Sequence, residues 1–122
     1  MKIKIAAKST EALAQFWNTK TASAIIKALP FESTAHRWGE EIYFEIPVEL
    51  ELENGKEVLD AGDIAYWPPG KSMYIFFGPT PSSKGSEVRA YSAVSVFGRV
   101  MGDAGIFGDV KEGERIRVEI KD

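Results

Sequence analysis

The stretch WPPGKSMYIFFGPTP, residues 67–81, decides how this chain folds. A run of aromatic and aliphatic residues lies there between two proline–glycine clusters. Proline presets φ and has no N–H to give a ladder, so it gathers at corners, whereas aromatic residues favour strands. The segment therefore reads as one strand, 72–78, held between two rigid corners. The same corners can form the stiff rim of a groove lined by Trp67 and Phe77, because rigid loops often carry binding sites.

Working outward, short strands follow one another. DIAYW comes after Gly62, and AYSAVSVFGRV (90–100) and ERIRVEI (114–120) lie downstream. In the last, Ile116, Val118 and Ile120 alternate with Arg115, Arg117 and Glu119, which puts the aliphatic residues inside and the charges in water. KIKIA at 2–6 repeats the pattern with Ile3 and Ile5. The KST at 8–10 reads as a turn, and 11–16 reads as a second strand. Asn18 is an acceptable N-cap for a helix with Ala22, Ile25, Ile26 and Leu29 on one face, and Pro30 ends it. FESTAHRW (31–38) and EIYFEI (41–46) are aromatic-rich strands divided by Gly39. In VELELENGKEVL, Val48, Leu50 and Leu52 alternate with glutamates, and Asn54-Gly55 predicts a hairpin with a type I′ turn. Segments 79–89 and 101–113 read as loops, with the glycine-rich 102–109 as a mobile one.

These elements predict a single all-β domain over residues 1–122. The expected architecture is a closed barrel of about eight strands with one capping helix, closure removing the exposed edges that invite aggregation. A barrel that size is filled by its own side chains, so a ligand must bind on the outer wall or at a mouth.

Composition narrows the partners. With a formal net charge of −3, the chain lacks the cationic surplus that phosphate binding demands, which argues against nucleic acid. The N-terminus interleaves Lys with Ile and reads as neither a signal peptide nor a membrane anchor, so no membrane is expected and the cytoplasm is the expected home. Zero cysteines and one histidine exclude disulfides, thiolate catalysis and multi-His metal sites. No cofactor or metal is expected, Asp60 and Asp63 reading as turn acids, and the oligomeric state is left open.

At WGEEIYFEIPVEL, GDIAYWPPGKSMYIFFGPTP and AVSVFGRV the order of motifs resembles a small prokaryotic cyclophilin-like family, over nearly the whole chain. The resemblance implies the cyclophilin-like barrel of the peptidyl-prolyl isomerase fold in a minimal form. Cyclophilins carry Phe-His-Arg on one strand and a later Gln-Gly-Gly. Here His36-Arg37 lacks the preceding Phe, and Gly39-Glu40-Glu41 stands where the second pattern would begin. An isomerase needs an apolar cup for proline and a cationic donor for the twisted amide. Arg37 and Arg99 are the candidate catalytic residues. Trp38, Glu40, Tyr43, Trp67, Phe76, Phe77 and Thr80 are the candidate binding set.

The bland readings are that the aromatics are core, that His36 is a surface residue, and that Glu40, Glu41 and the series Glu45, Glu49, Glu51 and Glu53 are solvated. Glu40 and Glu41 point to opposite strand faces and cannot serve one site together. The reading favoured is a binding module holding a small molecule or a proline-containing peptide in an aromatic surface groove. The alternative is an atypical peptidyl-prolyl isomerase, and a module of a carboxyltransferase or amide-hydrolysing assembly is a weaker third.

Overall fold

Period-two alternation is converted into antiparallel pairing throughout. In the computed structural model, which describes residues 1–8 and 10–122, the chain forms β1 (Lys2–Ala7), β2 (Glu11–Phe16), α1 (Lys20–Ala28), β3 (Phe31–Thr34), β4 (His36–Arg37) and β5 (Glu41–Glu45). There follow β6 (Lys56–Leu59), β7 (Asp63–Trp67), β8 (Ser72–Phe76), β9 (Val88–Met101) and β10 (Arg115–Ile120). The ladder order is β3-β10-β1-β2-β9-β7-β8-β5-β4, with β6 beside β9. The inner face carries the main core: Ile3 and Ile5, Ala14 and Phe16, Ile42 and Phe44, Ile64 and Tyr66, Met73 and Ile75, and Ile116 and Val118. Helix α1 adds Ala22 and Ile25 to it.

The central strands are apolar on their outer face as well. Ala65 on β7 and Tyr74 and Phe76 on β8 belong to a second cluster with Leu59, Val88, Ala90 and Val94. Strand β9 makes this possible, since Val88, Arg89 and Val94 pair with β6 while Ser95, Val96, Gly98 and Arg99 pair with β7. Burial on both faces is why MYIFF has no polar alternation.

The expected closed barrel of about eight strands is not what the hydrogen bonds build. Among the described residues there are ten strands, and no ladder joins the two ends of the path, β3 and β4. Those ends are successive pieces of one segment, interrupted at the buried Ala35. The Ala35 N–H donates to Glu114 O (2.8 Å) and its carbonyl accepts from Gly113 N (2.8 Å), so the loop before β10 claims this residue. The interior is nonetheless filled by side chains, as expected.

Four local expectations also change. The N-cap of α1 is Thr19, whose hydroxyl accepts from Ala22 N at 3.0 Å, and not Asn18. The Asn54-Gly55 hairpin does not form: of these two residues only Asn54 has positive φ (50°), and β6 pairs with β9. Residues 48–53 are held by side chains instead, Tyr66 Oη accepting from Leu50 N (3.1 Å) and donating to Val48 O (2.7 Å), and Ser95 Oγ accepting from Glu53 N (2.7 Å). Glu53 is not a solvated face residue. Its carboxylate caps the start of α1, accepting from the Thr21 N–H (2.9 Å) and hydroxyl (2.7 Å), and these bonds lower its pKa. Segment 101–113, read as loop, contains a 3₁₀ turn at Ala104–Asp109 anchored by the buried Phe107.

Ile120 is 42% exposed, so the inward alternation of β10 ends at Val118. The turn expected at 8–10 includes Ser9, which lies outside the described residues.

The Tyr66 hydroxyl is thus a strut for a segment without a ladder. Tyr66→Phe removes the partner of a half-buried N–H and C=O and is expected to lower stability by about 1 kcal/mol in urea denaturation. Glu51→Gln, on the exposed side of the same segment, is expected to leave the midpoint unchanged.

Candidate functional site

Register sets the site. Tyr43 pairs with Tyr74 and Glu41 with Phe76 across β5 and β8, while Ala65 pairs with Tyr74 and Trp67 with Ser72 across β7 and β8. Strand parity then puts Glu41, Tyr43, Trp67 and Tyr74 on the same outer face. Tyr43 and Tyr74 stack at 4.9 Å and 12°, Trp67 meets Tyr74 edge-on at 6.2 Å, and Tyr91 stands 6.1 Å from both Trp67 and Trp38. The five rings surround a pocket of about 310 Å³ whose sixth lining residue is Glu41. That volume is at the lower end of small-molecule sites.

The two proline–glycine corners position the two tryptophans. Pro68–Gly70 is a 3₁₀ turn ended by Lys71 at φ 47°. The Trp67 ring lies against Gly70, where a Cβ would stand 2.9 Å from Cε3 and Cζ3. Its Nε1 donates to Ser92 Oγ at 2.7 Å, which fixes the indole's rotation. At the second corner, Pro79 O accepts from Glu40 N (2.9 Å) and Phe77 N donates to Glu40 O (2.9 Å). Gly39, at φ 63°, packs where a Cβ would come within 2.7 Å of Pro81 Cδ. This holds the 38–41 turn, closed by Trp38 N donating to Glu41 O at 3.1 Å.

Glu41 is the unusual member. It is 1% exposed, and its Oε1 has no hydrogen-bond partner. No cationic residue lines the pocket. Desolvation pushes the Glu41 pKa up to about 8, so at neutral pH the carboxyl is mostly protonated. Burial raises the Tyr74 hydroxyl, and the charges of Glu41 and Tyr43 add to it. For Tyr43 burial also leads, followed by Glu112 and Glu41.

Of the sequence-derived candidates, Trp38, Tyr43 and Trp67 come together in the pocket. Phe76 lies fully buried behind Tyr74, with ring centroids 5.7 Å apart. Arg37, Glu40 and Phe77 form a separate group. The guanidinium of Arg37 sits 5.1 Å over the Phe77 ring and 3.5 Å from Glu40, and donates to Gly39 O (2.7 Å), Gly108 O (2.9 Å) and Val110 O (3.2 Å). Arg99 donates to Asp63 Oδ1 (2.9 Å) and Ala61 O (2.8 Å). Thr80 ties its loop to β9 through its hydroxyl, which donates to Arg89 O, and its N–H, which donates to Ser83 Oγ at 2.8 Å. His36 is half-buried and does not line the pocket, its ring lying 5.3 Å from Tyr43 and its Nδ1 2.6 Å from Glu112 Oε2.

The structure adds Glu41, Tyr74 and Tyr91. Strand parity, which places Glu41 beside Tyr43, is the sequence signal for the first. Among the described residues no group of three or more His, Asp or Glu could hold a metal, and no helix is long and apolar enough to cross a membrane.

A carboxyl whose pKa rises on folding binds more protons in the native state than in the unfolded chain. Its favourable contribution is therefore complete below the unfolded value of 4.5 and is lost as pH rises towards 8. Glu41→Gln is expected to flatten the pH dependence of stability in that window and to stabilise the protein above pH 8 by a few kcal/mol, on the order of 1.4 kcal/mol per pKa unit. Denaturant titrations at pH 4.5, 6.5 and 8.5 measure this, and unchanged slopes would contradict it.

Comparison with known proteins agrees with this architecture. A family model described as cyclophilin-like matches residues 1–119. The solution structure of a hypothetical protein from Archaeoglobus fulgidus is similar to this chain with a TM-score of 0.83 and 42% sequence identity, over 99% of this chain and 95% of that one. No curated protein matches. Near-complete family coverage and a shared fold at this identity lead to one conclusion: the chain belongs to the cyclophilin-like family.

Proposed function

We propose that the protein is a binding module that holds a small molecule in the aromatic pocket of its outer sheet face. The observation that carries this reading is the open pocket of about 310 Å³ lined by Trp38, Tyr43, Trp67, Tyr74 and Tyr91 together with the buried Glu41. Rigid aromatic walls with one polar group are the common composition of ligand sites, and a preformed wall lowers the ordering cost of binding. Trp67 is already held by Ser92 and Gly70, so it needs no rearrangement to receive a ligand.

The same surface can receive the ring of a proline in a peptide, since aromatic-lined grooves do so elsewhere. Isomerisation asks more, namely a cationic donor to the twisted amide. Arg37 and Arg99 are each committed to protein acceptors and neither lines the pocket, which favours binding without catalysis.

The test is NMR titration of the indole N–H signals of Trp38 and Trp67 with small aromatic, aliphatic and ammonium compounds and with a short Xaa-Pro peptide. At least one class is expected to shift both signals, with Trp67→Ala weakening capture about tenfold or more and Glu51→Ala leaving it unaltered. Equal effects of the two variants would place binding elsewhere. Exchange spectroscopy on the peptide separates the alternatives: shifts without faster cis/trans exchange fit a binding module. Faster exchange that Arg37→Ala or Arg99→Ala abolishes would establish the isomerase.

A further inference from the structure

A pocket walled by five aromatic rings and holding one unpaired acid has a definite electrostatic character. Aromatic faces carry negative quadrupole potential, so a box of tryptophan and tyrosine rings favours a cation over an apolar group of the same shape. Here Tyr43 and Tyr74 lie stacked, while Trp67 stands edge-on to Tyr74 and Tyr91 edge-on to both tryptophans, so rings surround the cavity in more than one plane. Glu41 lines the same cavity, is 1% exposed, and leaves Oε1 without a hydrogen bond.

The groups facing Glu41 give that buried oxygen no hydrogen bond, and none of the residues lining the pocket brings a positive charge. On β5 its neighbour on this face is Tyr43, and from β8 come Phe76, opposite it in register, and Tyr74. Trp38 and Tyr91 complete the surround, while Glu40 is turned towards its pair with Arg37. Apart from His36, whose ring lies 5.3 Å from Tyr43 and whose Nδ1 pairs with Glu112 at 2.6 Å, the charged or titratable groups of this surround are acids and phenols, and none of the lining residues is cationic.

We propose that the pocket binds a small organic cation bearing an alkylated ammonium group, with Glu41 as its counter-ion and Trp38, Trp67, Tyr43, Tyr74 and Tyr91 as its aromatic walls. This rests on the reading of the pocket as a ligand site. An alkylated ammonium suits it because its methyl groups pack against rings while its spread charge needs no hydrogen bond from them. Its charge also offsets the cost of holding an ionised carboxylate away from water. Binding consequently releases the Glu41 proton at neutral pH. Affinity is expected to rise with pH and level off above about 8, where the carboxyl is already ionised.

The probes are choline and its uncharged isostere 3,3-dimethylbutan-1-ol, titrated at constant ionic strength against the Trp38 and Trp67 indole signals at pH 6.5, 7.5 and 9. Choline carries its charge at all three values, so any pH dependence belongs to the protein. It is expected to bind at least about tenfold tighter than the alcohol at pH 9, and to weaken by up to about tenfold per unit below pH 8. Glu41→Gln is expected to remove both the preference and the pH dependence while leaving the alcohol unaffected. Tyr91→Ala, which removes a ring that is 70% exposed and outside the core, is expected to weaken choline without unfolding the protein.

Equal or tighter binding of the alcohol would overturn the cation assignment and leave the pocket as a ligand site. Choline binding that Glu41→Gln leaves intact would overturn the role of Glu41. If neither probe moves the indole signals, while another compound class does, only the cation assignment fails. If no class moves them, the pocket reading fails with it.

Discussion

Burial of strand β8 on both faces is the constraint from which the site follows. Met73 and Ile75 fill the main core while Tyr74 and Phe76 are covered from outside, so this strand has no side left for ordinary solvated residues. The filled inner face excludes a ligand from the interior, and the outer face needs a cover. β9 supplies most of it by turning its first half towards β6, and the cover stops short of Trp67 and Tyr43, which stay partly exposed. The pocket is the part of the second cluster left open at Tyr43, Tyr74 and Trp67, with Trp38 and the exposed Tyr91 completing its lining.

Within that opening the energetic tension centres on Glu41. An acid without a partner in an aromatic surround is costly to ionise, and burial favours its protonated form at neutral pH. The contrast with Glu53 is instructive. Two backbone or hydroxyl donors of Thr21 hold that carboxylate charged at the start of α1, so one glutamate supports the fold while the other weighs against it. Buried groups that do not serve stability are where function is most usefully sought.

Much of this architecture was legible in the chain, for particular reasons. Alternation in KIKIA and ERIRV placed strands and faces, and the proline clusters marked the corners that carry Trp67 and steady Trp38. Parity on a regular strand correctly set Glu41 on the face of Tyr43, yet composition argues for a solvated glutamate, and burial comes only from the pairing of β5 with β8. Tyr91 lies far from Trp38 in sequence, and only the path of β9 makes them neighbours. The failed hairpin has the same origin. Asn54-Gly55 is a strong local signal, but Tyr66, Ser95 and the helix N-terminus compete for residues 48–53 through long-range hydrogen bonds that no local pattern reveals. Likewise the interruption of the sheet at Ala35 depends on a contact with Gly113 and Glu114, distant in the chain.

The proposed site depends on a carboxyl group that is buried, unpaired and set in the lining of the pocket. Its side-chain carbon, followed by carboxyl-detected NMR across a pH titration of the free protein, reads that state directly. The account predicts a midpoint for Glu41 near 8, well above those of Glu53 and Glu112, whose hydrogen bonds hold them below the usual range. A Glu41 midpoint at the ordinary value of 4.5 would mean that water or a donor already satisfies it, and would contradict the account.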